Sequence, residues 1–202
     1  MMAKPDEIRT FVCLELPRSV KELLSGVQDD LKGVGAKVSW VKPANIHLTL
    51  KFLGNLSQSR LAEVCVVVEE AGRAVSPFGF QVKGAGAFPP TGNPRVLWVG
   101  LAGVSAPLQD LQQRIDTGLF QRGFPRENKP FSPHLTIGRV QSGYQARALL
   151  EKISRLKVEG EMVNVHQVAV MKSDLRAGGA LYTPIQKFPL LGDNKSEGTN
   201  LS

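Results

Sequence analysis

HLTLKFLG, residues 47–54, alternates polar and apolar side chains as a half-buried strand does, with His47 and Thr49 on one face and Leu48 and Leu50 on the other. The pattern returns in PHLTIGRV from Pro133, where His134 and Thr136 share a face against Leu135 and Ile137. The chain holds 3 histidines in 202 residues, and two of them stand in copies of one tetrad in the same hydrophobic register. One His-x-Thr on a strand is ordinary packing. Two in shared register predict two strands that are anchored by their aliphatic face and present an imidazole and a hydroxyl together. Lys51 extends the polar row of the first copy; the second has Gly138 there, followed by Arg139.

Imidazole exchanges protons near neutral pH, and a threonine hydroxyl two residues on can bond a phosphate oxygen. Two imidazoles on opposite sides of a substrate supply a general acid and a general base at once. That suits phosphodiester cleavage, where one group deprotonates the incoming oxygen and the other protonates the leaving one, each contributing roughly 10²–10⁴-fold. A metal site is the competing use of paired histidines, but no Cys, Asp or Glu stands within four residues of either tetrad, so the ligand set falls short. There is no G-x-S-x-G elbow, P-loop or G-x-G-x-x-G. No cofactor is expected. His166, in VNVHQVAV, has no Thr at i+2 and reads as a structural or surface histidine.

The 25 Lys and Arg against 18 Asp and Glu give a net charge of +7, which favours an anionic partner. No block of five like charges occurs, so a basic surface must be assembled by folding. The start, MMAKPDEIRT, lacks the apolar stretch of a signal peptide, and no apolar run of membrane-spanning length follows. A cytoplasmic location with no membrane contact is the expectation. Cys13 and Cys65, in apolar segments without C-x-x-C spacing, read as buried free thiols.

Strand patterns run over 8–16, 36–41, 46–53, 78–83, 95–101, 134–140, 163–172 and 181–188. Helical stripes fall at Val20, Leu23, Leu24, Val27 and Leu31; at Leu61, Val64, Cys65 and Val68 behind a cap at Ser57; at Leu108, Leu111, Ile115 and Leu119 behind Ser105 and Pro107; and, weaker, at Leu149, Leu150 and Ile153. Several strands follow one another directly, so the class is α+β rather than a doubly wound parallel sheet. Each tetrad strand is soon followed by a helix, which suggests a duplicated strand-helix unit forming two lobes. Residues 84–94 and 122–133 read as Pro/Gly-rich loops, the second carrying Arg122, Arg126 and Lys129 into the His134 tetrad. Residues 1–190 are expected to form one bilobal domain, and the polar tail 191–202 to be disordered.

Five segments, in order, carry a family resemblance: RTFVCLELP (9–17), WVKPANIHLTLKFLG (40–54), FPPTGNPRVLWVGL (88–101), KPFSPHLTIGRV (129–140) and VMKSDLRAGGALYTPIQKFPL (170–190). Together they resemble the two-histidine phosphoesterases, and within them the RNA 2′,3′-cyclic phosphodiesterases also described as 2′-5′ RNA ligases. The resemblance implies a bilobal α+β fold whose central cleft is lined by both tetrads, with no metal requirement. It implies that His47 is the proton donor and His134 the proton acceptor, with Thr49 and Thr136 on the non-bridging oxygens. The expected reaction opens an RNA 2′,3′-cyclic phosphate to a 2′-phosphomonoester, and its reverse with a 5′-hydroxyl gives 2′-5′ ligation. The partner expected is RNA with a cyclic phosphate end, tRNA halves being one candidate, bound by a monomer. Arg139 and Lys51 are the cations expected near the phosphate, and Phe131 or Tyr182 could stack a base, although core packing suits both. Two other readings stay open: a cyclic phosphodiesterase of small nucleotides or ADP-ribose derivatives, and a non-catalytic RNA-end binder. The second fits less well, because a pure clamp has no need of imidazole's pKa.

Overall fold

The computed structural model describes residues 7–103, 106–177 and 179–192; the expected cap at Ser105 and the polar tail from residue 193 lie outside them. Nine strands and four helices are described, in the order β1 (Ile8–Leu14), α1 (Arg18–Lys32), β2 (Val38–Trp40), β3 (Leu48–Leu56), α2 (Gln58–Ala74), β4 (Phe78–Phe88), β5 (Val96–Ala102), α3 (Ala106–Gln121), β6 (Leu135–Val140), α4 (Ala146–Arg155), β7 (Glu159–Val165), β8 (Gln167–Arg176) and β9 (Gly179–Pro189). A single 3₁₀ turn, Pro43–Asn45, precedes β3. The expected α+β class is what the chain adopts. None of the described helices is long and apolar enough to cross a membrane.

The helices follow their stripes. Val20, Leu24, Val27 and Leu31 are the buried face of α1, and Leu108, Leu111, Ile115 and Leu119 that of α3. Ser57 caps α2 as expected, its side chain accepting from the Arg60 amide. These stripes close on the sheets in one continuous apolar core, where each fully buried leucine contributes about 2 kcal/mol.

The strands form two antiparallel sheets, in the orders β3-β1-β8-β9 and β2-β6-β5-β4-β7. Setting β3-β1-β8-β9 beside β6-β5-β4-β7 shows the duplication: in each lobe the tetrad strand pairs with the strand that precedes it across a helix, β1 or β5. Short β2 is added outside β6. Its Val38 and Trp40 side chains fill the space beside Gly138, where an added Cβ would lie 2.8 Å from Val38 Cγ1, and so the second tetrad has glycine where the first has Lys51.

Three expectations need correction. The strand read over 163–172 is two strands in different sheets: Val163 and Val165 pair with Phe80 and Phe78 in β4, whereas β8 pairs with β1 and β9. The change of sheet falls at His166, which is exposed, and alternation alone carries no mark of it. The loop read over 84–94 begins later, because β4 continues to Phe88; Ala85, Gly86 and Ala87 pair with Val99, Trp98 and Leu97, the small residues making room for the indole. Cys13 is buried, but Cys65 is only half-buried.

Candidate active site

A cleft of about 850 Å³ runs between the sheets and is lined by both tetrads. His47 immediately precedes β3 and Thr49 lies at its start; His134 immediately precedes β6 and Thr136 lies at its start. The alternation does what the sequence suggested. Leu48, Leu50, Leu135 and Ile137 are at most 2% exposed and hold the strands to the core, leaving the polar partners half-buried on the cleft face. Among the described residues neither threonine hydroxyl has a protein hydrogen-bond partner, so both remain available to a ligand.

The histidines are held alike. His47 Nδ1 lies 2.8 Å from the carbonyl oxygen of Asn45, and His134 Nδ1 lies 2.7 Å from that of Ser132, each the residue two positions earlier. A carbonyl only accepts, so Nδ1 carries the proton and donates it in both rings. That leaves Nε2 of each ring as the nitrogen that can take up or release a proton. Asn45 is itself fixed, its side-chain amide donating to the Ala180 carbonyl of β9 at 2.6 Å.

Their surroundings differ. His47 stacks on Phe11 with ring centroids 4.6 Å apart and meets the edge of Tyr182 at 5.3 Å. Phe11, Cys13, Ala169 and Met171 form a small apolar cluster beneath it, joined by Tyr182. Burial there pushes the His47 imidazole below its ordinary pKa of 6.5; the Asn45 carbonyl works the other way, and the positive charge of Lys21 adds to the lowering. His134 instead meets the edge of Phe88 at 5.2 Å, and Phe88 leans on Trp98.

Arg139 lines the cleft and is exposed there. Lys51 also reaches its wall but is no solvated cation: it is 2% exposed, ion-paired with Asp116 of α3, and donates to the Pro125 carbonyl at 2.8 Å. Phe131 and Tyr182 both line the cleft, half-buried. Sequence reasoning missed Arg95, Phe52 and Asp116. Arg95 and Phe52 carry no periodic signal that distinguishes them from surface residues, and Asp116 is a polar position within an ordinary helical pattern. Among the described residues no group of three or more His, Cys, Asp or Glu could hold a metal ion. A second cavity, about 420 Å³ between α2 and α3, contains no histidine.

The arrangement can protonate one oxygen and deprotonate another across a bound phosphodiester, with hydroxyl donors beside each imidazole. The chain is 34% identical to an RNA 2′,3′-cyclic phosphodiesterase of Methanothermobacter thermautotrophicus over 91% of its own length and 100% of the relative's. It is 33% identical to one of Aquifex aeolicus, over 92% and 98%. Among solved structures, TT0787 of Thermus thermophilus superposes with a TM-score of 0.76 at 26% identity, covering 92% of this chain and 100% of that one. Escherichia coli LigT complexed with 3′-AMP gives 0.74 over 91% and 98%, at 21% identity, a likeness of fold. The family profile described as the 2′-5′ RNA ligase superfamily matches residues 35–177. With that profile spanning both tetrads and whole-length relatives above 30% identity, the chain belongs to the 2′-5′ RNA ligase superfamily.

Proposed function

We propose that this protein is an RNA 2′,3′-cyclic phosphodiesterase that opens a terminal cyclic phosphate to a 2′-phosphomonoester by acid-base catalysis between His47 and His134. The observation that carries the reading is the matched pair of imidazoles in one cleft, each tethered through Nδ1 to the carbonyl two residues before it and flanked by a threonine two residues after it. Relatives of similar length bearing that activity in their names support the substrate class.

His134 Nε2 takes a proton from water as the water oxygen attacks phosphorus. The bond from phosphorus to the 3′ oxygen breaks, and His47 Nε2 gives its proton to that oxygen, leaving a 3′-hydroxyl and a 2′-phosphate. Thr49 and Thr136 donate to the non-bridging oxygens, where charge grows in the transition state. The lowered pKa of His47 makes it a strong acid once charged, and the phosphate anion offsets the cost of charging it beside Phe11. Arg139 is the cation facing the phosphate, whereas Lys51 acts from within the wall. With a 5′-hydroxyl in place of water the reverse reaction gives a 2′-5′ linkage. Residues 1–190 serve as one domain, acting as a monomer in the cytoplasm without a metal, with 191–202 outside it; tRNA halves are candidate substrates.

The test is product analysis on an oligoribonucleotide ending in a 2′,3′-cyclic phosphate. A 2′-phosphate end is expected, with EDTA without effect and His47→Ala and His134→Ala each lowering turnover by roughly 10²–10⁴-fold or more. A 3′-phosphate product, or substantial turnover by either folded variant, overturns the assignment.

A further inference from the structure

The cleft is lined by four cations, and their placement is one-sided. Lys51, on the β3 wall, is neutralised by Asp116. The other three, Arg95, Lys129 and Arg139, belong to the β5–β6 lobe and the segment leading into it, and all are exposed. Among the described residues none of the three forms an ion pair. The rim of the other lobe offers no such cation: beyond the tetrad and Lys51 its cleft-lining residues are Val41, Asn45, Ile46, Phe52 and Tyr182, none of them charged.

Arg95 and Arg139 are also close neighbours. Val96 pairs with Arg139, and the Val140 amide donates to the Arg95 carbonyl at 3.0 Å, so Arg95, just before β5, stands diagonal to Arg139 rather than opposite it. Both line the cleft with no ion-pair partner among the described residues, which leaves their guanidiniums free to meet an anion there. The anion at the reaction centre is a single diester charge, already met by two imidazoles and two hydroxyls. Arg139 faces that anion as well, so Arg95 and Lys129 on the same lip exceed what it requires; Glu127, also on this rim, removes only part of the surplus.

Resting on the function proposed above, we infer that Arg95 and Lys129 extend the lip beyond Arg139 as a track for the phosphates 5′ of the terminal nucleotide. The RNA body then leaves the cleft over the β5–β6 lobe, while the neutral rim bearing Phe52 faces the terminal nucleoside. The enzyme is accordingly built for a polynucleotide end rather than a free cyclic mononucleotide.

The experiment compares kcat/KM on a 2′,3′-cyclic mononucleotide and on an oligoribonucleotide of about eight residues ending in the same group, across a salt series. Wild type is expected to prefer the oligonucleotide and to lose that preference as salt rises, with a log–log slope of about −0.7 per phosphate neutralised. Arg95→Gln and Lys129→Gln, at exposed positions that leave the fold intact by circular dichroism, are expected each to lower the oligonucleotide-to-mononucleotide ratio by roughly 3–10-fold and to flatten the slope by about one such increment. Arg95→Lys restores most of both. Neutral methylphosphonates at the internal linkages reproduce the loss in wild type. A wild-type enzyme that turns over both substrates with no salt-sensitive preference, or variants that slow both equally, overturns the track and leaves the phosphodiesterase reading in place. Absence of turnover on either substrate overturns both.

Discussion

Lys51 and Asp116 join the two halves of the site. The lysine stands on β3, two residues beyond Thr49, with its side chain 2% exposed; the aspartate, on α3, is 17% exposed. The same ammonium donates to Pro125, and the same carboxylate accepts from the Glu127 amide at 3.4 Å, so the strand of the first tetrad is tied to the segment that delivers His134. Removing one partner leaves a buried charge unmatched. Lys51→Met is expected to cost about 3 kcal/mol in urea unfolding, and the double variant Lys51→Met/Asp116→Leu to recover more than half. The segment before His134 loosens in the single variant, so kcat is expected to fall by roughly 10-fold or more. A wild-type unfolding midpoint for Lys51→Met would show that the pair holds nothing together.

The pH dependence of kcat/KM should contain one inflection below 6.5 belonging to His47, because burial lowers its pKa. Phe11→Leu removes the stacked ring and admits water to the imidazole. That inflection is then expected to move up towards 6.5 while the other stays in place. An inflection that does not respond to Phe11→Leu would place the desolvation elsewhere.

Stability should respond to the same group. With the folded pKa below the unfolded value of 6.5, the folded state binds fewer protons between the two values. The contribution is therefore complete above about pH 6.5 and is lost as pH falls through the folded pKa. Urea midpoints of wild type and His47→Gln, measured from about pH 7.5 down to about pH 5, should diverge from constant offset, with wild type losing more. Parallel curves would count against a buried neutral His47.

Gly86 lies directly across from Trp98, and a Cβ there would sit 2.7 Å from Cη2 of the indole, closer than side-chain carbons pack. The Gly86→Ala substitution is expected to cost about 1–3 kcal/mol by overpacking. Displacing Trp98 also displaces Phe88, whose ring bears on His134, so kcat should drop together with thermal stability. Normal activity at reduced stability would show that Phe88 does not orient the histidine.

How far the sequence reached can be judged from particular residues. Ser57, the α1 stripe and both tetrads were legible because capping and periodicity are local properties, fixed within a few residues of chain. The split at His166 and the extension of β4 through Gly86 were not, since either depends on which strand lies alongside. Lys51 shows the same boundary within the site: its place in the polar row of β3 was readable, but its partner stands 65 residues away.

The sequence by itself determined two imidazole-hydroxyl pairs on anchored strands, because a two-residue period assigns faces without reference to the rest of the chain. Only the tertiary structure decided that the pairs meet in one cleft, that His47 rests on Phe11, that Lys51 is neutralised by Asp116, and that the unpaired cations gather on one lip. These depend on distances between segments remote in sequence, and both desolvation and ion pairing act through such distances rather than through order along the chain.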